Sequence, residues 1–325
     1  MKSKTMFTWK KLGKVFDPTE VKNKEWLKEF AQGPSVIEFK DYIRVYFSCR
    51  PKADTSDQYV SYTGYVDLSK HNLFKIIKVS EQPILALGKL GAFDEFGTYP
   101  VSVLKDNDRY IAYYGGWTRC ESVPFNVAIG YAISEDGCTF KRLGKGPVLA
   151  YSPEEPFIIS GPKIRKYGST YYLFYIAGRR WILSKGKPEP VYKIRMAHSK
   201  DGLTWTKINK DLIADVLGED EAQASPDVIF SNGKYHMFFC YREATDFRSN
   251  ADRGYRIGYA SSIDLINWTR DDTKSGIDIS KSGWDCEMIA YPHLFTLNNK
   301  IYMFYLGNEV GKYGFGLAEL TGELT

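Results

Sequence analysis

One pattern recurs five times along the 325 residues and limits what the chain can become: a Gly or polar lead-in, a proline, an alternating apolar strand, a tight polar turn, then an aromatic strand. The copies are GPSVIEFKDYIRVYFSCR (Gly33 to Arg50), YPVSVLKDNDRYIAYYGGWTR (Tyr99 to Arg119), GPKIRKYGSTYYLFYIAGR (Gly161 to Arg179), SPDVIFSNGKYHMFFCYR (Ser225 to Arg242) and YPHLFTLNNKIYMFYLGN (Tyr291 to Asn308). Their prolines, Pro34, Pro100, Pro162, Pro226 and Pro292, are 66, 62, 64 and 66 residues apart. A period this regular calls for one architecture repeated rather than several unrelated units.

Alternation rich in Tyr, Phe, Ile and Val, broken by Lys-Asp, Asp-Asn-Asp, Tyr-Gly-Ser, Ser-Asn-Gly or Asn-Asn, makes each copy a β-hairpin. A shorter pattern follows it: VAIGYAISEDGCTFKRL, YKIRMAHSKDGLTWTKI, YRIGYASSIDLINWTRD and, more loosely, YVSYTGYVDLSKHNLFKII. This adds a third strand, a turn and a fourth strand headed by an aromatic residue. Four antiparallel strands form a propeller blade, so the expected fold is all-β: a five-bladed β-propeller occupying 1–325 as one domain, with blades beginning near 33, 99, 161, 225 and 291. The last unit stops after YGFGLAEL, while the chain begins FTWKKL, with Trp9 in the place of Phe74, Phe140, Trp205 and Trp268. Residues 7–12 are therefore expected to supply the missing outer strand and remove an open sheet edge.

Composition narrows the function. The excess of 44 Lys and Arg over 39 Asp and Glu is only +5 and spread along the chain, which argues against a nucleic-acid partner. The basic start MKSKTMFTWKKLGKVF lacks the apolar core of a secretion signal, and no run approaches a membrane span, so a cytoplasmic protein with no membrane partner is expected. Five cysteines without a CxxC pair read as reduced, packed thiols. Four scattered histidines give no metal-ligand spacing, and no cofactor is expected.

In a blade the first strand lines the central channel and the second runs back beside it. Residues before the first strand and after the second therefore reach one face of the disc. Five positions before the repeated proline stand Glu29, Glu95, Phe157, Glu221 and Glu287; after the second strands stand Arg50, Arg119, Arg179 with Arg180, and Arg242. Carboxylates can serve a glycosidic bond as acid and as base or nucleophile, and arginines fork onto phosphate or carboxylate. The expected catalytic set is Glu221 as proton donor with Glu287 or Glu95 as base or nucleophile, and Arg50, Arg179 and Arg242 hold an anion. Repeated Glu and Arg can equally fasten neighbouring blades. Tyr99, Tyr291, His293, Asp227 and Lys163 flank the prolines at this mouth, and Trp117 and Trp181 are candidate sugar platforms. SEDGCTF and SKDGLTW resemble sialidase Asp-box turns, but their adjacent Asp-Gly pairs read as outer hairpin turns without a catalytic part.

Five blades, a proline opening each inner strand and S-x-D-G-x-x-W turns together resemble the five-bladed glycosidase superfamily, which includes families 43 and 32 and the mannoside phosphorylases of family 130. The resemblance covers nearly the whole chain. In the arabinanase group a carboxylate directly precedes the inner-strand proline of the first and third blades, and a Glu lies two before it in a later blade; here Gly33, Gly161 and Ala224 stand there. In the phosphorylases the second blade carries Asp-Pro-Arg and the first ends its second strand in Tyr-Arg. Here the second blade has Tyr99-Pro100-Val101, and FSCR keeps only the terminal Arg50. The resemblance implies a glycosidase or glycoside phosphorylase acting on a sugar or oligosaccharide, with phosphate as a possible partner. The absent carboxylates leave three alternatives: catalytic carboxylates moved to the glutamate row, with Glu95, Glu221 and Glu287 best placed; chemistry of a different kind; or a non-catalytic glycan or sugar-nucleotide binding propeller.

Overall fold

In the computed structural model, which describes residues 7–325, the chain forms five four-stranded antiparallel sheets set in a ring. After β1 (Phe7–Phe16), the first blade contains β2 (Glu29–Glu38), β3 (Tyr42–Arg50), β4 (Tyr62–Ser69) and β5 (Asn72–Val79). The second contains β6 (Gly97–Asp106), β7 (Arg109–Arg119), β8 (Phe125–Ser134) and the two-residue β9 (Lys141–Arg142). The third contains β10 (Ile159–Tyr167), β11 (Thr170–Ser184), β12 (Lys187–Ser199) and β13 (Thr206–Lys207). The fourth is β14 (Ala222–Ser231), β15 (Lys234–Arg242), β16 (Arg256–Ser262) and β17 (Thr269–Arg270). The fifth is β18 (Ala290–Leu297), β19 (Lys300–Leu306), β20 (Phe315–Gly322) and β1, so the N-terminal segment completes the last blade. Trp9 lies opposite Leu320, and the pairing runs to Phe16 opposite Phe315, beyond the expected residue 12.

The repeated proline does not open the inner strand. Each inner strand starts earlier, and the proline sits at a break in its ladder, between Gln32 and Ser35, Thr98 and Val101, Ser160 and Lys163, Ala224 and Asp227, and Ala290 and His293. Proline has no N–H to give a ladder, so a bulge is where a strand accommodates it. The preceding residue takes a positive φ at Gly33, Gly161, Ser225 and Tyr291, while Tyr99–Pro100 is cis. Glycine is favoured at 33: a Cβ there would stand 3.0 Å from Pro100 Cβ, on a backbone at φ +62°.

Aromatic rings fasten blade to blade. The aromatic residue heading each outer strand packs on the second strand of the blade before it: Phe140 on Tyr46, Trp205 on Tyr113, Trp268 on Phe174 and Trp9 on Phe238, with centroids 5.3–6.5 Å apart. Trp9 therefore does for the fifth blade what its counterparts do elsewhere. Phe74, in the looser first unit, is instead exposed. The Asp-Gly turns join the same seams, since Tyr46 and Tyr113 donate to the carbonyls of Gly137 and Gly202 at 2.6 Å. Asp136, Asp201 and Asp264 cap their turns by accepting consecutive backbone N–H groups, a structural use of the motif.

Candidate functional site

The bulges turn side chains toward the axis. Asp227, Lys163 and His293 follow their prolines and are buried in the wall of the channel. His293 Nε2 accepts from the Val36 N–H at 2.9 Å, which fixes the neutral ring as the Nδ1–H tautomer. Nδ1 then donates to Asp227 Oδ2 at 2.9 Å, with Lys163 Nζ 2.9 Å from the same nitrogen. Asp227 also accepts from the Leu294 N–H and pairs with Arg165. Burial pushes His293 down to about 3, with Lys163 adding to the effect, and takes Lys163 down to about 8 against the attraction of Asp227. Burial opposes the charge of Asp227, but Arg165, Lys163 and His293 outweigh it and hold the carboxyl well below its ordinary range. Asp227, Lys163 and His293 thus lie inside the channel wall rather than on an open rim.

At the mouth above the axis, Tyr99 and Tyr291 meet hydroxyl to hydroxyl at 2.5 Å. A second pair, Tyr192 and Tyr255, meets at 2.7 Å beneath Arg242. Arg242 is fully buried: it donates to Tyr192 Oη and to the carbonyls of Glu243 and Ala244, and its guanidinium lies 3.6 Å from the Phe247 ring centre. It has no carboxylate partner among the described residues. Arg50 is partly exposed at the end of β3, held over Phe30, Tyr59 and Tyr99 at 4.5, 5.2 and 5.7 Å. Its guanidinium makes no hydrogen bond or ion pair among the described residues, and its Nε is buried without a partner. Burial lowers its affinity for a proton, opposed by the neighbouring tyrosines.

The other expected site residues part company. Glu221 is completely buried and accepts from the N–H groups of Val216 and Leu217, from Gln223 Nε2 and from Arg270 Nη1. Its pairing belongs to a repeat: Asp94 with Arg142, Glu155 with Arg195 and Lys207, and Asp285 with Lys11. In each case an acid ahead of the inner strand is tied to a cation on the fourth strand of the same blade. This fastening is within blades, not between them. Glu95 accepts from the Gly91 N–H, and Glu29 from Tyr59. Glu287 is exposed, with no side-chain partner among the described residues. Arg179 turns to Asp211, and Arg119 to Asp54 and the Tyr59 carbonyl. Trp117 and Trp181 are half-buried and joined through Phe125, whose centroid lies 6.5 and 5.7 Å away.

Tyr59, Tyr192, Tyr255 and Phe247 are mouth residues that reading by rims misses. Tyr192 and Tyr255 had a signal, since both open the repeated third-strand pattern, as Tyr-Lys-Ile and Tyr-Arg-Ile; Tyr192 lies within β12 and Tyr255 just before β16. Tyr59 and Phe247 lie in connections without period. A groove of about 400 Å³ is lined by Lys193, Asp211, Asp215 and Trp268, and Lys193 and Asp215 pair at 2.6 Å.

No family model matches the chain. An uncharacterized protein of Mycobacterium tuberculosis is 35% identical over 314 residues, covering 96% of this chain and 99% of its own. A 1,2-beta-oligomannan phosphorylase of Thermoanaerobacter is 27% identical over 251 residues, covering 75% and 76%. Among solved structures, a glycoside hydrolase superposes with a TM-score of 0.74 at 17% identity, over 98% of this chain and 94% of that one. A beta-1,2-mannobiose phosphorylase from Listeria innocua does so with a TM-score of 0.67 at 14% identity, over 98% and 96%. The chain belongs to the family of the mycobacterial protein, and it shares the five-bladed β-propeller fold with the glycoside hydrolases and phosphorylases on which it superposes.

Proposed function

We propose that this protein is a carbohydrate-active enzyme, a glycosidase or glycoside phosphorylase, that works at the channel mouth on an anionic sugar or with phosphate as co-substrate. The observation that carries the anionic part is Arg50, a guanidinium held by aromatic faces and left without a counter-charge among the described residues. Arginine presents a planar fork suited to phosphate or carboxylate, and a low-dielectric surround strengthens that attraction. The names of the Thermoanaerobacter and Listeria proteins favour a mannoside, with phosphorolysis as the first reaction to assay. In this reading Glu287 is the carboxylate free to act as base or nucleophile, while Glu221 and Glu95 hold their loops.

A second reading is favoured by one specific observation: the buried acids ahead of the inner strands are all consumed in blade fastenings. A propeller that binds a glycan without cleaving it would look the same. Thermal unfolding against phosphate, acidic sugars and neutral oligosaccharides, with product analysis on each, tests both readings. A ligand at about a hundred times its Kd stabilises by about 2.7 kcal/mol. Phosphate or an acidic sugar is expected to raise the midpoint in the native protein and not in Arg50→Met. A rise with neutral oligosaccharides alone overturns the anionic assignment, and binding without product favours the glycan-binding reading.

A further inference from the structure

We propose that the hydroxyl of Tyr99, backed by Tyr291, is the proton donor to the leaving oxygen at the mouth, in the place a carboxylic acid would hold. The inference rests on the enzymatic reading above and deepens it by naming the acid.

The geometry begins with what the carboxylates cannot do. A carboxylic acid that donates a proton near neutral pH needs an environment that keeps it protonated. Glu221 is completely buried and already engaged by two backbone N–H groups, an amide and a guanidinium. Asp94, Glu155 and Asp285 are likewise paired with cations. Glu287 is exposed, and no side chain among the described residues orients its carboxyl toward a leaving group.

The phenols meet the requirement. Tyr99 on β6 and Tyr291 on β18 come from different blades, both half-buried, and their hydroxyls meet at 2.5 Å. Burial pushes Tyr99 up to about 12, so it stays protonated through the neutral range, while Arg50 and Tyr291 each pull it down. Those two groups are placed to stabilise the anion that proton transfer creates: the guanidinium lies 5.7 Å from the Tyr99 ring centre, and the Tyr291 hydroxyl can donate to the phenolate. In the step proposed, the glycosidic C–O bond breaks, and its electron pair stays on the leaving oxygen. That oxygen takes the Tyr99 proton. Water or phosphate forms the new bond to the anomeric carbon, and the proton it gives up returns Tyr99 to the phenol, so protons balance over a turnover.

The test compares leaving groups. Native protein, Tyr99→Phe, Tyr291→Phe and Glu287→Gln are assayed, with and without phosphate, on 4-nitrophenyl glycosides and on the matching disaccharides. Nitrophenolate departs without a proton, and a sugar alkoxide does not. Tyr99→Phe is expected to lose about 100-fold or more on the disaccharide and less than about tenfold on the nitrophenyl substrate. Tyr291→Phe is expected to move the alkaline limb of the disaccharide pH–rate profile upward, because a donor that lowers Tyr99 has been removed. Equal losses on both substrates, no loss on either, or a leaving-group-selective loss in Glu287→Gln instead would overturn the assignment. Absence of turnover by the native protein on every pair would end the enzymatic reading, and the donor with it. A melting midpoint for Tyr99→Phe near the native value separates a lost proton from a lost fold.

Discussion

Glu221 and Glu287 hold the same place relative to their prolines, yet one is sealed in the protein and the other stands in solvent. Glu221→Gln breaks the buried pair with Arg270, which keeps only its bond to Asp272, and breaking a buried pair costs about 3 kcal/mol or more. Glu287→Gln is expected to stay within about 0.5 kcal/mol of native stability, as surface changes do. Urea unfolding of the two variants checks this pair of values. His293 gives a pH prediction. Its folded value of about 3 lies below the ordinary 6.5, so the unfolded chain takes up a proton that the folded one refuses between those limits. Stability is therefore full above about pH 6.5 and falls as the pH drops toward 3, and the depressed Asp227 carboxyl adds in the same direction below its ordinary value. Urea midpoints at pH 7 and 4.5 should differ more in the native protein than in His293→Gln. Nitrogen NMR should show a neutral Nδ1–H ring at pH 5.

At the scale of the element, β1 decides whether the ring is closed. A chain begun at Gly13 loses Trp9 from its seat on Phe238 and Lys11 from its contact with Asp285, and it leaves β20 as an open edge. Such a chain is expected to lose several kcal/mol and to self-associate, because an unpaired strand offers a template to another copy. Trp9→Ala keeps the strand and removes only the ring, at about 3–5 kcal/mol for a buried aromatic. Light scattering distinguishes the two variants, since only the truncation exposes the edge. The outer turns and inner hairpins were legible because their periods and turn residues are local. The bulge at each proline was not, because a missing ladder bond shows only against the neighbouring strand.

For the whole molecule, the axial network joins inner strands that no hairpin connects. Asp227 on β14 reaches Lys163 and Arg165 on β10 and His293 on β18, and His293 continues to Val36 on β2. Asp227→Asn is expected to lower amide protection in inner strands of several blades at once, whereas Trp9→Ala should act mainly at the seam between the fourth and fifth blades. Hydrogen exchange read blade by blade measures the difference.

The sequence by itself determined five hairpin units, their order and the strand that closes the ring, because each follows from periodicity and turn chemistry within a short stretch. It placed Arg50, Tyr99 and Tyr291 at one rim, and the structure brings those three together. Only the tertiary structure decided which charges remain free. Glu221 and Glu287 are alike along the chain, and what separates them is Arg270 on β17, 49 residues away, together with the depth at which the ring buries each carboxylate. Burial and pairing are properties of neighbours in space, and a charge becomes available for chemistry only where the fold leaves it uncompensated.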